Sequence, residues 1–312
     1  MNYYWEGPHF SYLHYLSIKS FSALNPDWTI RLYTPTSPSQ AQAVWTTPEQ
    51  KVEYTGSNYF HKIGELDVEI IPINLDDYLG YKTEKIHCVQ RSDLFRWKLL
   101  ADEGGGWSDS DILYIKPLTS LLSSDEAPAI GGVRTRNLDD TTEVVPFYSV
   151  HAMWHTDEEN MSLIEEGETH IVRAPVKIIK PICPIGFFLA SPDNTYFKTI
   201  LEKATSCKDN VEDYQGMGFR VLEQLHSSEA HIVATNPGLV NVGHIPFYLY
   251  AWNETGLLFD EINTKYMHPR VVGIHWYNGD AKACQFKNYL TETTVKELPT
   301  CTLHKVIKDL NL

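Results

Sequence analysis

Arg91-Ser92-Asp93-Leu94-Phe95-Arg96-Trp97-Lys98-Leu99-Leu100, then Gly104-Gly105-Gly106-Trp107-Ser108-Asp109-Ser110-Asp111 and Ile112-Leu113-Tyr114-Ile115-Lys116-Pro117-Leu118, is the stretch that organises this chain. His87 to Asp102 is made of good helix formers with no breaker, which predicts a helix. The three glycines end it and suit a tight reversal. Trp107 to Ile115 then reads as a strand that Lys116-Pro117 closes, with Ile112 to Ile115 apolar enough to be buried. On a strand, residues two apart share a side, so Asp109 and Asp111 are expected to project together while Ser110 faces away.

Two convergent carboxylates make a hard oxygen half-shell for Mg²⁺ or Mn²⁺, with open positions that suit a substrate pyrophosphate. At ordinary composition one D-x-D triplet is expected roughly every 300 residues, so its neighbourhood must carry the reading. On the preceding helix Asp93 and Arg96 are three apart and share a face. As a surface ion pair they would contribute under ~1 kcal/mol. Leu94, Phe95, Trp97, Leu99 and Leu100 leave little solvated surface around them, and an enclosed Asp and Arg close to two more carboxylates suit the hydroxyls of a sugar.

Outward from this centre the chain reads as α/β. Tyr3 to Trp5 is strand-like and ends at Glu6-Gly7-Pro8; Ser11 to Leu24 has helical spacing and stops at Asn25-Pro26; Trp28 to Tyr33 suits a second strand, followed by a Pro- and Ser-rich loop at Pro35 to Gln40. Further strands are expected at Val68 to Ile73, Ile130 to Val133, Ile185 to Leu189, Ile232 to Ala234 and Val271 to Trp276. Helices are expected at Asn194 to Thr205 and Gln215 to Leu225. No repeat, low-complexity tract or linker divides the 312 residues.

A net charge of −14 repels phosphate backbones, so extended nucleic acid is an unlikely partner on charge grounds. Five cysteines with no C-x-x-C spacing fit free thiols in a reducing compartment and leave structural zinc unsupported. The start MNYYWEGPHF lacks a basic flank and an apolar run, and no stretch reaches about 18 apolar residues. The expectation is a soluble, cytoplasmic chain without a transmembrane segment.

The central stretch resembles the signature of the D-x-D sugar-binding glycosyltransferases, in which a helix with S-D-x-x-R leads through L-x-x-x-G-G to a strand with D-x-D. These include yeast-type initiating α-mannosyltransferases, globotriaosylceramide synthases, capsule-locus enzymes and, more distantly, the large clostridial glucosylating toxins. Tyr4-Trp5-Glu6-Gly7-Pro8 is similar to the family's first strand, where a tryptophan lies against the base. His275-Trp276-Tyr277-Asn278-Gly279 resembles its late His-Trp-like segment, and Ile245 to Trp252 the aromatic stretch before it. Trp107 and Ser108 depart from the usual Tyr-Leu-like pair, and Ile185-Gly186 stands where many members carry an asparagine.

The resemblance implies a single catalytic domain of the GT-A fold, an α/β class with a Rossmann-like central mixed sheet flanked by helices. Residues 1–120 would bind the nucleotide sugar and 121–312 would serve the acceptor side and closure. It implies a retaining transfer from a nucleotide sugar, UDP-sugar preferred over GDP-sugar, to a glycan or other hydroxyl acceptor. Asp109 and Asp111 would hold Mn²⁺ or Mg²⁺ with His275, and Asp93 with Arg96 would hold the sugar. Trp5, Gly7 and Ser110 would complete the donor contacts. Trp5 is equally a candidate core residue, and His275, after the apolar run Val271 to Ile274, a candidate structural histidine. Lys282 reads either as a phosphate contact or as an exposed lysine. For His275 to reach the aspartates, Val271 to Asp280 must fold back over the donor. Other classes fit less well. A phosphohydrolase or nucleotidyltransferase lacks its His-rich metal set and Lys-bearing phosphate loop here, a non-catalytic carbohydrate-binding protein needs no cation pair, and a transferase acting on modified DNA bases sits poorly with the charge.

Overall fold

The computed structural model describes residues 1–41, 54–121, 133–136, 142–145, 149–151, 184–207, 215–225 and 239–312. β1 (Asn2–Tyr4) is followed by α1 (Tyr12–Leu24), β2 (Arg31–Pro35), β3 (Glu69–Ile73), α2 (Leu75–Leu79), α3 (Cys88–Asp102), β4 (Gly105–Ser108) and β5 (Ile112–Tyr114). Next come β6 (Val133–Arg136), β7 (Thr142–Val145), β8 (Ser149–His151), β9 (Phe187–Ala190), α4 (Thr195–Cys207), α5 (Phe219–Leu225) and β10 (Leu239–Asn241). The chain then forms α6 (Ile245–Tyr248), α7 (Thr255–Phe259), β11 (Gly273–His275), α8 (Ala281–Tyr289) and α9 (Thr302–Leu310).

Seven strands form one mixed sheet in the order β10-β8-β9-β4-β1-β2-β3. β1 pairs in parallel with β2 and β4, and β2 with β3, while β9 runs antiparallel to both β4 and β8. Successive residues on a strand face opposite ways, and here both faces are buried. Tyr3, Leu32, Phe187 and Leu189 enter a core with α1, β5 and β11, whereas Tyr4, Tyr33, Phe188 and Ala190 enter a core with α3 and α4. This is the helix-flanked mixed α/β sheet expected.

Local signals explain the elements. Ser11 caps α1, accepting from His14 N while the His14 ring faces the Ser11 N–H, and Asn25 ends the helix. Gly104 after α3 has φ 69°, and a Cβ there would lie 2.5 Å from the Ser191 carbonyl carbon, so only glycine fits the reversal.

One expectation is corrected. Trp107 to Ile115 is not one strand: β4 belongs to the large sheet, β5 pairs with β11 in a separate two-stranded sheet, and Asp109-Ser110-Asp111 is the turn between them. Strand alternation therefore does not explain why the carboxylates converge. The helix expected from Gln215 begins only at Phe219, because Gln215 to Gly218 is a turn. Ile232 to Ala234, most of Ile130 to Val133, and Cys183 lie outside the described residues; Cys88, Cys207, Cys284 and Cys301 are free thiols. Among the described residues no helix is long and apolar enough to cross a membrane.

Candidate functional site

The site forms where β1, β2 and β4 end, the carboxyl edge at which open α/β sheets place their ligands. β4 delivers Asp109 toward α3. The Asp109 N–H donates to Gly186 O at 2.7 Å, the Trp107 indole donates to Oδ1 at 2.8 Å, and Arg96 Nη2 lies 3.3 Å from the same oxygen. Arg96 lies over the rings of Trp107 and Trp97, at 4.7 and 5.4 Å, and also donates to Ile185 O. One turn earlier Asp93 meets Arg96 at 3.1 Å. The pair is buried, so the solvated ion-pair reading does not apply.

Asp93 is 1% exposed, and neither carboxylate oxygen has a hydrogen bond. A Cβ on Gly218 would lie 2.6 Å from Oδ2, so the turn Gln215 to Gly218 sits directly on the carboxylate, with Met217 O accepting from the Trp97 indole at 2.7 Å. Burial pushes the Asp93 carboxyl up to about 7 against the pull of Arg96.

Asp111 turns the other way. Its Oδ2 accepts from the Asn278 N–H at 2.9 Å and its Oδ1 lies 3.2 Å from His275 Nε2. β11 brings the histidine there by pairing antiparallel with β5, His275 opposite Ile112, and the Trp276 N–H adds a bond to Asp111 O at 2.9 Å. Val271 to Asp280 folds back far enough for His275 and Asn278 to reach Asp111. Burial raises the Asp109 carboxyl, and the Asp111 carboxylate adds to this despite Arg96. Burial would raise Asp111 too, but His275 and the Asn278 N–H hold it well below the usual carboxylate range. Burial would lower His275, yet Asp111 and then Asp109 raise it.

Asp109, Asp111 and His275 each offer a ligand atom, all within 4.8 Å of one another. The donor set fits a divalent cation. Asp109 Oδ1 is committed to Trp107 and Arg96, and Asp111 Oδ2 to Asn278, which leaves one oxygen on each. An imidazole beside two carboxylates suits Mn²⁺ at least as well as Mg²⁺. Ser110 shares the turn between them.

Beyond the end of β1, a cleft of about 660 Å³ is lined by Trp5, Gly7, Pro8, Pro38, Asn58 and Phe60 among others. Trp5 is half-buried, edge-on to Phe10 and 4.6 Å from the His14 ring; His14 is 5.0 Å from Trp276, beside Asp111. These rings connect the cleft to the carboxylates. A Cβ on Gly7 would lie 3.3 Å from the Trp5 ring, so the glycine keeps that ring's approach clear. Lys282 is not gathered in; it is partly exposed and pairs with Asp260.

Some contributors had no assigned role in the sequence reading. Glu6 and Arg91 form a buried ion pair at 2.7 Å; Arg91 donates to Ser37 O and Glu6 accepts from Ser39 N, both at 2.6 Å, which fixes one wall of the cleft. Glu6 lies within the quoted Trp-Glu-Gly-Pro run, but nothing local pairs it with a residue on α3. Tyr248, whose hydroxyl accepts from Gly186 N at 3.0 Å, lies in the aromatic stretch Ile245 to Trp252 without an assigned role there, and Lys287, behind Asn278, left no local signal.

No protein-family profile matches the chain, and no curated protein does. Among solved structures, one described as the PaToxG glycosyltransferase is similar over 99% of this chain and 85% of its own, with 14% identity and a TM-score of 0.44. The galactosyltransferase LgtC in complex with donor and acceptor sugar analogs is similar over 99% and 95%, with 13% identity and a TM-score of 0.40. An active-site mutant of LgtC gives 100% and 95% with the same identity and score.

Proposed function

We propose that this chain is a glycosyltransferase that takes a sugar from a nucleotide-sugar donor, UDP-sugars before GDP-sugars, and passes it to a glycan or other hydroxyl acceptor. The observation that carries the reading is the convergence of Asp109, Asp111 and His275 within 4.8 Å, beside the Trp5 cleft at the carboxyl edge of the sheet. Trp5 offers a face to the base, and Gly7 lets the nucleotide approach the backbone. Asp109 Oδ2 and Asp111 Oδ1, the latter beside His275, would hold the cation next to the diphosphate, with Ser110 between the two aspartates. When bound, Mn²⁺ or Mg²⁺ supplies positive charge against the two phosphates of the departing nucleoside diphosphate.

Asp93 and Arg96 are the sugar-holding pair in this reading, and that role requires the turn Gln215 to Gly218 to lift from Asp93. Lys282 would have to exchange Asp260 for a phosphate. In the transfer the acceptor oxygen bonds to the anomeric carbon as that carbon's bond to the diphosphate oxygen breaks. The acceptor's proton goes to the diphosphate. Attack on the face the diphosphate leaves gives retention and needs no protein nucleophile. Residues 1–120 then form the donor half of one domain, and 121–312 the acceptor and closing half.

The test is hydrolysis of a panel of UDP- and GDP-sugars with Mn²⁺, with Mg²⁺ and with chelator, followed by product stereochemistry on simple glycosides. Release of UDP from one UDP-sugar, lost with chelator, is expected. Binding of glycans with no turnover of any donor would overturn the reading in favour of a carbohydrate-binding protein.

A further inference from the structure

The C-terminal grip on Asp111 depends on a turn that is held from behind. Tyr277 has a φ of 54°, a left-handed conformation that costs a non-glycine residue of order 1 kcal/mol and persists only where surrounding bonds impose it. Its hydroxyl donates to Tyr250 O at 2.6 Å, and this turn aims the Asn278 N–H at Asp111 Oδ2. Behind it, Lys287 on α8 is 5% exposed. Its ammonium donates to the Asn278 carbonyl at 3.0 Å and to the Asn278 side-chain oxygen, and lies 5.7 Å from the centre of the Trp276 ring.

A buried ammonium is costly unless its protons are used. Two of the Lys287 bonds go to one residue, and that residue orients the carboxylate. The other titratable groups facing it are Cys284, whose thiol lies 3.5 Å from the same carbonyl, with His14 and Asp111. A thiol is too weak a donor to hold the turn by itself.

We infer that Lys287 is a positioning residue for the cation site. It clamps Asn278 so that the Asn278 N–H occupies Asp111 Oδ2 and leaves Oδ1 turned to His275 and the cation. The inference rests on the donor-site reading above and adds a residue to it that touches neither cation nor donor. A group that orients a metal ligand typically changes metal affinity by about 10- to 100-fold. Nucleoside diphosphate binding without metal should be insensitive to it.

The experiment is calorimetric titration of Mn²⁺ in the presence of saturating UDP, and of UDP with chelator, on the wild-type chain and on Lys287→Met, Asn278→Ala, the double variant and Asp111→Asn. Lys287→Met, nearly isosteric, should weaken Mn²⁺ about tenfold, leave metal-free UDP binding unchanged, and recover turnover when Mn²⁺ is raised. Asn278→Ala should weaken Mn²⁺ by about threefold, and the double variant should be no worse than Lys287→Met, because both act through one bond network. If Lys287→Met does not fold, Asn278→Ala decides, and wild-type Mn²⁺ affinity in it overturns the inference. Independent, multiplying losses also overturn it. A wild-type chain that binds Mn²⁺, loses it in Asp111→Asn and keeps it in Lys287→Met overturns this inference alone. A wild-type chain that binds no Mn²⁺ with UDP overturns the donor-site reading as well.

Discussion

Asp109 and Asp111 occupy one short turn, yet each belongs to a different half of the molecule. Asp109 is tied to the α3 side by Arg96 and Trp107, in a pocket where a second carboxylate, Asp93, crowds the same guanidinium. Asp111 is tied to the returning segment by His275 and the Asn278 N–H. Burial raises the first, while the His275 imidazole and the Asn278 N–H lower the second. Residue type and burial are shared, so the partners set the charge. One side keeps an excess of carboxylate, and the other presents a carboxylate already ionised for a cation.

The largest effect should separate the two aspartates. Asp111→Ala should cut transfer by roughly a thousandfold or more and lower the melting temperature only modestly, through the lost Asn278 N–H bond and His275 contact. Asp109→Ala should cut transfer as deeply and also destabilise the fold by ~3 kcal/mol, since it strips a partner from buried Arg96. Turnover assays beside thermal melts measure both, and equal stability losses would break the contrast.

The second effect is one of pH. The folded chain keeps the Asp93 proton up to about 7, whereas an unfolded chain releases it near 3.8. In that window the native state binds more protons, so this group's contribution falls as pH rises from 4 to 7, by up to a few kcal/mol. Asp111 has the opposite sign: its lowered carboxyl stabilises above 3.8, and that stability is lost as pH falls below it. Urea melts from pH 4.5 to 8 should show a downward slope that is reduced in Asp93→Asn; identical slopes would remove Asp93 from the account.

Smaller effects bound the cleft. Trp5→Ala should weaken UDP about tenfold, in line with ~1–3 kcal/mol for a base stacked on an aromatic ring, as read by calorimetry. Lys282→Ala should change UDP affinity by less than about fivefold, because Lys282 is held by Asp260 away from the carboxylates and an exposed pair of this kind contributes ~1 kcal/mol or less. A tenfold loss there would show that Lys282 leaves Asp260 for the phosphates.

The α3 side was legible because it is local. Asp93, Arg96, the glycine reversal and the two aspartates fall within one stretch, where helix periodicity and a glycine stop are strong signals. What periodicity could not show was the break after Ser108: Trp107 to Ile115 has the composition of one strand, and only pairing with β9 on one part and β11 on the other splits it. The return side was legible only through the resemblance around His275, since nothing local assigns a partner 167 residues away. The Glu6 with Arg91 clamp and the Lys287 clamp were missed for the same reason. Lys282 drew attention by its spacing, while Lys287 does the buried work.

The antiparallel pairing of β11 with β5 also has a meaning for biosynthesis. A growing chain that has emerged only as far as Asp111 already holds the strands, the helix and the tryptophan beside the Trp5 cleft, but neither the histidine nor the N–H that set the second carboxylate. Closing so long a loop is slow, and its contacts reward the chain only once the last third has docked. On the proposed reading, a cation would be held in full only after β11 has docked on β5. Among partly made or clipped copies, those lacking residues beyond about 270 would lose His275, the Asn278 N–H and the β11 side of the core together.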